Sequence, residues 1–151
     1  MDKAGTFKII GNVDLMTRNR RTGKVIEKKT IPNIICNAGL VVLAKLLNGV
    51  TSQAFSAIAI GTDNTTANAS DTTLGAEVQR ATAEVSYEAD YKALFSYEFT
   101  FVSSATIWEV GLFDALTEGN MLNHAIDSLG IGVDSDINLT VDITITGSAG
   151  S

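Results

Sequence analysis

Val13, Leu15 and Thr17 alternate with Asp14, Met16 and Arg18. The same period of two is most regular at Ile137, Leu139, Val141, Ile143 and Ile145, interleaved with Asn138, Thr140, Asp142 and Thr144. Alternation of this kind gives a strand one apolar and one polar face. Phe95, Tyr97, Phe99 and Phe101 line one side of a denser segment, with Ser96, Glu98 and Thr100 on the other. Strands are predicted over 55–60, 82–89, 91–102, 106–114, 121–126 and 137–146. Short strands at near-regular spacing with polar breaks between them indicate an antiparallel body.

Two stretches depart from that pattern. Residues 12–31 read as a hairpin, because VDLMTR and VIEKKTI flank RNRRTGK, with Thr22-Gly23 near the turn and Pro32 closing the segment. In NAGLVVLAKLLNG the period lengthens to that of a helix, over about 37–48. Asn37 is the expected N-cap, Leu40, Leu43, Ala44 and Leu47 the expected core stripe, and Asn48-Gly49 the stop. The predicted fold is mainly β: an antiparallel β-sandwich, jelly-roll or barrel-like body with one amphipathic helix. Residues 1–151 form a single domain, with an extended arm at 1–11, the hairpin at 12–31, the β body at 32–146 and a flexible tail at 147–151.

Composition narrows the function classes. The 151 residues are 45% hydrophobic and 19% charged, a globular balance. A single cysteine, Cys36, and a single histidine, His124, leave no intrachain disulfide and no Cys/His zinc site. Met1-Asp2-Lys3 opens no apolar leader, and no run is long enough to span a bilayer, so a soluble product made in the cytoplasm is expected. The net charge of −6 is unevenly spread. Residues 1–30 hold eight basic side chains (Lys3, Lys8, Arg18, Arg20, Arg21, Lys24, Lys28 and Lys29) against three acids, for +5. The remainder holds three basic residues against fourteen acids, for −11. A basic arm on an acidic body suits docking on a neighbouring copy or another acidic surface; the alternative is a solvated hairpin with a basic tip. The acidic body argues against nucleic acid.

The polar stretch GTDNTTANASDTTLGAEVQR, residues 61–80, invites a search for chemistry. It lacks the G-K-S/T ending and the lysine of a phosphate loop. Asp63, Asn64 and Asp71 do not follow a calcium-loop spacing. No G-x-S-x-G elbow accompanies His124, which reads as a surface or cross-strand packing residue, and Cys36 reads as a buried, inert thiol. The pairs Glu84/Glu88 and Asp134/Asp136 read as solvated faces. No catalytic residue, cofactor or metal is therefore expected. Glu109 interrupts the apolar IWEVGLF, and if it points inward it needs a partner, since an unpaired buried carboxylate is costly. Arg80 is the expected partner in a structural Arg80–Glu109 ion pair; the alternative places Glu109 in solvent opposite a buried Trp108. Asp71 or Thr72 is expected to cap a short helical turn holding Leu74 and Val78.

Three segments in order carry a resemblance. Gly61, Thr62, Asp71, Thr72, Leu74, Glu77, Val78 and Arg80 follow a Gly-Thr strand end, a polar loop and Asp-Thr-x-Leu-x-x-Glu-Val-x-Arg. NIICNAGLVVLAKLLNG and IWEVGLFDA, the latter followed by MLNHAI, match an Asn-Ala-Gly-Leu helix entry and a Glu-x-Gly-Leu-Phe strand pair. VDLMTRNRRTGKVIEKKTIPN is similar to an N-terminal hairpin of the same group. Together these resemble small structural proteins of tailed bacteriophages, over most of residues 12–145. Asp63 and Asn68 stand where that loop usually carries a proline and a second glycine. The resemblance implies a virion structural protein, foremost a capsid decoration (cement) protein on the head surface. Its expected partners are its own copies, as a homotrimer, and the major capsid protein or tail proteins. A tail-fibre, collar or tail-tip adaptor is the alternative within that class, and a carbohydrate-binding β-sandwich the alternative outside it.

Overall fold

A computed structural model describes residues 7–149. Ten strands form two antiparallel five-stranded sheets. The chain opens with β1 (Phe7–Asn19), β2 (Val25–Ile31) and β3 (Asn33–Ile35), then the helix α1 (Asn37–Leu47). There follow β4 (Ala57–Gly61), β5 (Glu77–Thr82), β6 (Glu84–Glu88) and β7 (Lys92–Phe99). The last three strands are β8 (Ala105–Phe113), β9 (Met121–Val133) and β10 (Ile137–Ala149). One sheet runs β2-β1-β10-β7-β6 and the other β3-β9-β8-β4-β5. Both sheets have open edges, so the body is a sandwich and not a closed barrel.

The alternating positions behave as their period requires. Val13, Leu15, Leu139, Val141 and Ile143 of the first sheet meet Ile58, Ile60, Val110 and Leu112 of the second in one core. Phe95, Phe99 and Phe101 join them, while Tyr97 stays part-exposed and stacks edge-on against Phe99 at 4.8 Å. β4 is buried at every residue because both its faces are covered. Ile58 and Ile60 enter the main core, whereas Ala57 and Ala59 turn to a second cluster with Cys36, Leu74, Phe113 and Met121. That cluster lies beneath the long connection 62–76.

Several boundaries differ from expectation. The segment expected as one strand at 82–89 is two, β5 and β6, which belong to different sheets and are separated by the buried Ala83. β9 runs to Val133, well past residue 126. Phe7–Gly11 are not a free arm and Gly147–Ala149 are not a free tail: residues 7–11 of β1 pair with residues 145–149 of β10. The rest of the expected arm and the last two tail residues lie outside the described residues. The hairpin turn is as expected. Asn19 Oδ1 accepts the N–H groups of Arg21 and Thr22 at 3.0 and 2.9 Å, and Gly23 takes the left-handed conformation at φ 74°.

The helix forms where expected but rotated about its axis. Asn37 is its first residue rather than its cap; Cys36 holds the N-cap position without a capping side-chain hydrogen bond. Gly39 and Val42 are buried, with Leu43 and Leu46 packed at the core margin, whereas Leu40, Ala44 and Leu47 face outward. The cause is Gly39, which lies so close to the Leu122 backbone on β9 that any Cβ would overlap it. The closest approach goes to the smallest residue, and that sets the buried side.

Candidate functional site, a histidine held between two carboxylates

Glu109 points inward and is fully buried, but Arg80 is not its partner. The expected Arg80–Glu109 pair is replaced by two separate devices. In the first, His124 stands on β9 with Gly111 of β8 directly opposite, and Glu109 lies two residues along the same face. His124 Nε2 is 2.9 Å from Glu109 Oε1, and Nδ1 is 2.7 Å from Asp71 Oδ2 in the long connection. With both nitrogens protonated, the imidazolium donates to one carboxylate on each side.

The Glu109 carboxylate also gathers the loop backbone. Oε1 accepts the Gly75 N–H at 2.8 Å, and Oε2 accepts those of Ala76 at 2.8 Å and Asp63 at 3.1 Å. A buried carboxylate saturated in this way is stable as the charged form. Gly61, at the end of β4, pairs with Glu109 across the ladder, and a Cβ there would overlap both the carboxylate and the Ala76 carbonyl. The glycine is thus required by the acid. Asp71 binds back to the Asn68 N–H at 2.7 Å, while the Asn37 N–H at the helix start donates to the Ala69 carbonyl at 2.9 Å. No helical turn forms here, in contrast to expectation. Leu74 is buried as an apolar anchor, but Val78 belongs to β5 and is exposed.

Burial disfavours charge on all three groups, but their contacts outweigh it. Hydrogen bonds from His124 and then from the Ala76, Gly75 and Asp63 amides hold Glu109 below the ordinary carboxylate range. The Asn68 amide and His124 do the same for Asp71. Hydrogen bonds to Glu109 and Asp71, with their charges, raise His124 above its ordinary value. Burial, with the negative charge of Asp71 second, pushes the Cys36 thiol up to about 11, so it stays protonated at neutral pH. It is buried, as expected.

The second device belongs to Arg80 on β5. Its guanidinium grips Glu77 through Nη2 at 2.7 Å and Nε at 3.1 Å, and Nη1 donates to the Ala115 and Glu118 carbonyls at 2.9 and 2.7 Å. It lies 3.6 Å over the Phe113 ring. All this ties β5 to the turn between β8 and β9, using the planar fork and flat face that distinguish arginine from lysine.

Chemically, the triad can hold a proton and fix a loop. A shallow groove of about 190 Å³ lined by Pro32, Ile34, Thr66, Ala67 and Ile126 reaches one side of His124. Both imidazole nitrogens are already taken by carboxylates, which leaves no nitrogen to remove a proton from a molecule in the groove. Among the described residues no group of three or more His, Cys, Asp or Glu has the geometry of a metal site.

The basic residues expected as a docking arm separate into two sets. Lys29 is not available: it pairs with Asp127 at 2.6 Å and joins β2 to β9. Arg20 is engaged with Asn138 and the Phe101 carbonyl. Arg18 makes only long contacts, to the Gly23 carbonyl and the Met16 sulfur. Arg21, Lys24 and Lys28 are exposed around the hairpin, and Lys8 is exposed beside the C-terminal strand. Lys3 lies outside the described residues.

The signal for the His124–Glu109 pair was present, since each interrupts an apolar run and the runs flank one turn. Nothing local marked Asp71 as the third member. The fold and site define a two-sheet antiparallel β-sandwich with an ionically pinned surface loop. No family model matches the chain, and no curated protein or solved structure shows significant similarity to it.

Proposed function

We propose that this chain is a virion structural protein of a tailed bacteriophage, a capsid decoration protein that binds the head surface as a homo-oligomer. The observation that carries the reading is where the resemblance residues lie. Asp71, Leu74, Glu77 and Arg80 of the loop motif, Asn37 and Gly39 of the helix entry, and Glu109, Gly111 and Phe113 of the strand motif interlock around one loop. In this chain, residues of the three resembling segments act as architecture, holding a long connection in place. Such use suits a protein whose task is to present a fixed surface in many copies, where avidity multiplies modest contacts. The acidic body with a basic hairpin tip gives those contacts a charge pattern.

The test is immuno-electron microscopy of the parent particles with antibody to this chain. Label over the head is expected. Label confined to the tail would replace decoration with the tail adaptor, and unlabelled particles would remove the virion reading.

A further inference from the structure

The first sheet ends in two edges of opposite character. Among the described residues β6 pairs only with β7, and β2 only with β1, so each leaves a row of backbone groups without a strand partner there. β6 is exposed at all five residues. Its register sets Val85 opposite the buried Phe95 and Tyr87 opposite Ala93, yet Val85 is 63% and Tyr87 75% exposed. These two point to the core side of the sheet where the second sheet does not cover them. Glu84 and Glu88 occupy the other face. β6 has no lysine, proline or bulge to shield its edge, and its only charges are Glu84 and Glu88, which repel a like edge but suit a basic one.

The far edge is basic. Lys28 projects on the outer face of β2, Lys24 immediately precedes the strand, and Val25 and Ile26 are exposed beside them. Glu27, the acid of this strand, is turned to Lys29 at 3.6 Å. Pairing like edges of two copies would set Glu against Glu or Lys against Lys. Pairing unlike edges sets Lys24 and Lys28 near Glu84 and Glu88 on one continuous outer face.

We propose that copies of this chain associate head to tail, with β6 of one hydrogen-bonded alongside β2 of the next, so that the first sheet runs on across subunits. The neighbour's body then covers Val85 and Tyr87. A heterologous contact of this kind closes into a ring when the rotation per subunit permits. The inference rests on the self-association proposed above and names its contact.

The experiment measures mass by sedimentation and light scattering across a concentration and salt series. Its samples are the wild type, K24E/K28E, E84K/E88K and the four-residue swap. All four residues are exposed, and circular dichroism checks each fold. The expected result is a wild-type oligomer that each reversal weakens at least about tenfold, with the swap restoring it. Added salt weakens the wild type. A monomeric wild type, reversals without effect, or a folded swap that stays dissociated would each overturn the proposal. Ser86→Cys provides a second readout that does not depend on charge. Disulfide dimers of S86C alone would mean like-edge pairing and overturn it, whereas K28C/S86C is expected to give covalent species larger than dimers. Failure here with head labelling intact removes the edge contact alone; an intact ring on a chain absent from particles removes the virion reading alone.

Discussion

The connection 62–76 and the strand β6 invert the usual relation between regular structure and constraint. The connection has no helix or strand, yet its amides and one of its carboxylates are gripped by Glu109 and His124, and Leu74 is sealed in an apolar cluster. β6 is a regular strand in full register with β7, yet no residue of it is buried. Constraint therefore follows where polar groups are satisfied and apolar ones covered, and a ladder on one side does not supply it.

The grip on the connection is lost most directly at Glu109. Glu109→Ala leaves one nitrogen of a buried imidazolium and three amides without their acceptor, and the expected loss is about 3–5 kcal/mol in urea unfolding. A loss below about 1 kcal/mol would mean that the loop is held by Leu74 and the helix contact instead. Gly61→Ala attacks the same grip from the β4 side, by placing a methyl group where the carboxylate sits. Overpacking of this kind is expected to cost about 1–3 kcal/mol. In the Glu109→Ala background the cost should shrink, because the obstructing side chain is gone; an additive result would separate the glycine from the acid.

Protonation sharpens the same region with a definite sign. His124 is raised in the folded state, so its contribution is complete below its ordinary 6.5 and is lost as pH climbs through the raised value. Asp71 and Glu109 are lowered from 3.8 and 4.5, so theirs is complete above those values and is lost as pH falls through the lowered ones. The stability difference between wild type and His124→Gln should therefore be greatest between about pH 4.5 and 6.5 and decline on either side. Urea midpoints over pH 3–9 measure it, and a difference that stays flat would mean that the triad does not ionise as the geometry requires.

Much of the sandwich was legible because period-two burial is local: Val13 and Leu15, or Leu139 to Ile143, reveal their buried face within a few residues. The sheet switch at Ala83 was not, since both strands open on the same Glu-Val pair and the sheet each joins is set by strands distant in sequence. The helix existed where expected but faced another way, because Gly39's approach to Leu122 outranks the leucine stripe. In the site, Glu109 declared itself as a charge within an apolar strand. Arg80 is the expected partner because it is one of only three basic residues beyond residue 30, whereas His124 becomes adjacent only through the β8–β9 register. Arg80 was needed elsewhere, by Glu77 and the carbonyls of Ala115 and Glu118.

The smallest expected change in stability falls on β6. Tyr87 is 75% exposed and pairs across β7 with Ala93, which offers it little to pack on. Tyr87→Ser should alter the free energy of unfolding of the isolated chain by no more than about 0.5 kcal/mol. The same substitution should weaken self-association, because only there does the ring become buried. Unfolding must be followed at concentrations low enough for the monomer, since an oligomer would add its association energy to the apparent stability. A chain that loses stability as a monomer would show β6 to be packed within its own subunit. A chain that keeps both stability and association would leave Tyr87 outside the subunit contact, and the difference between a gripped loop and an uncovered strand would then belong to the fold alone.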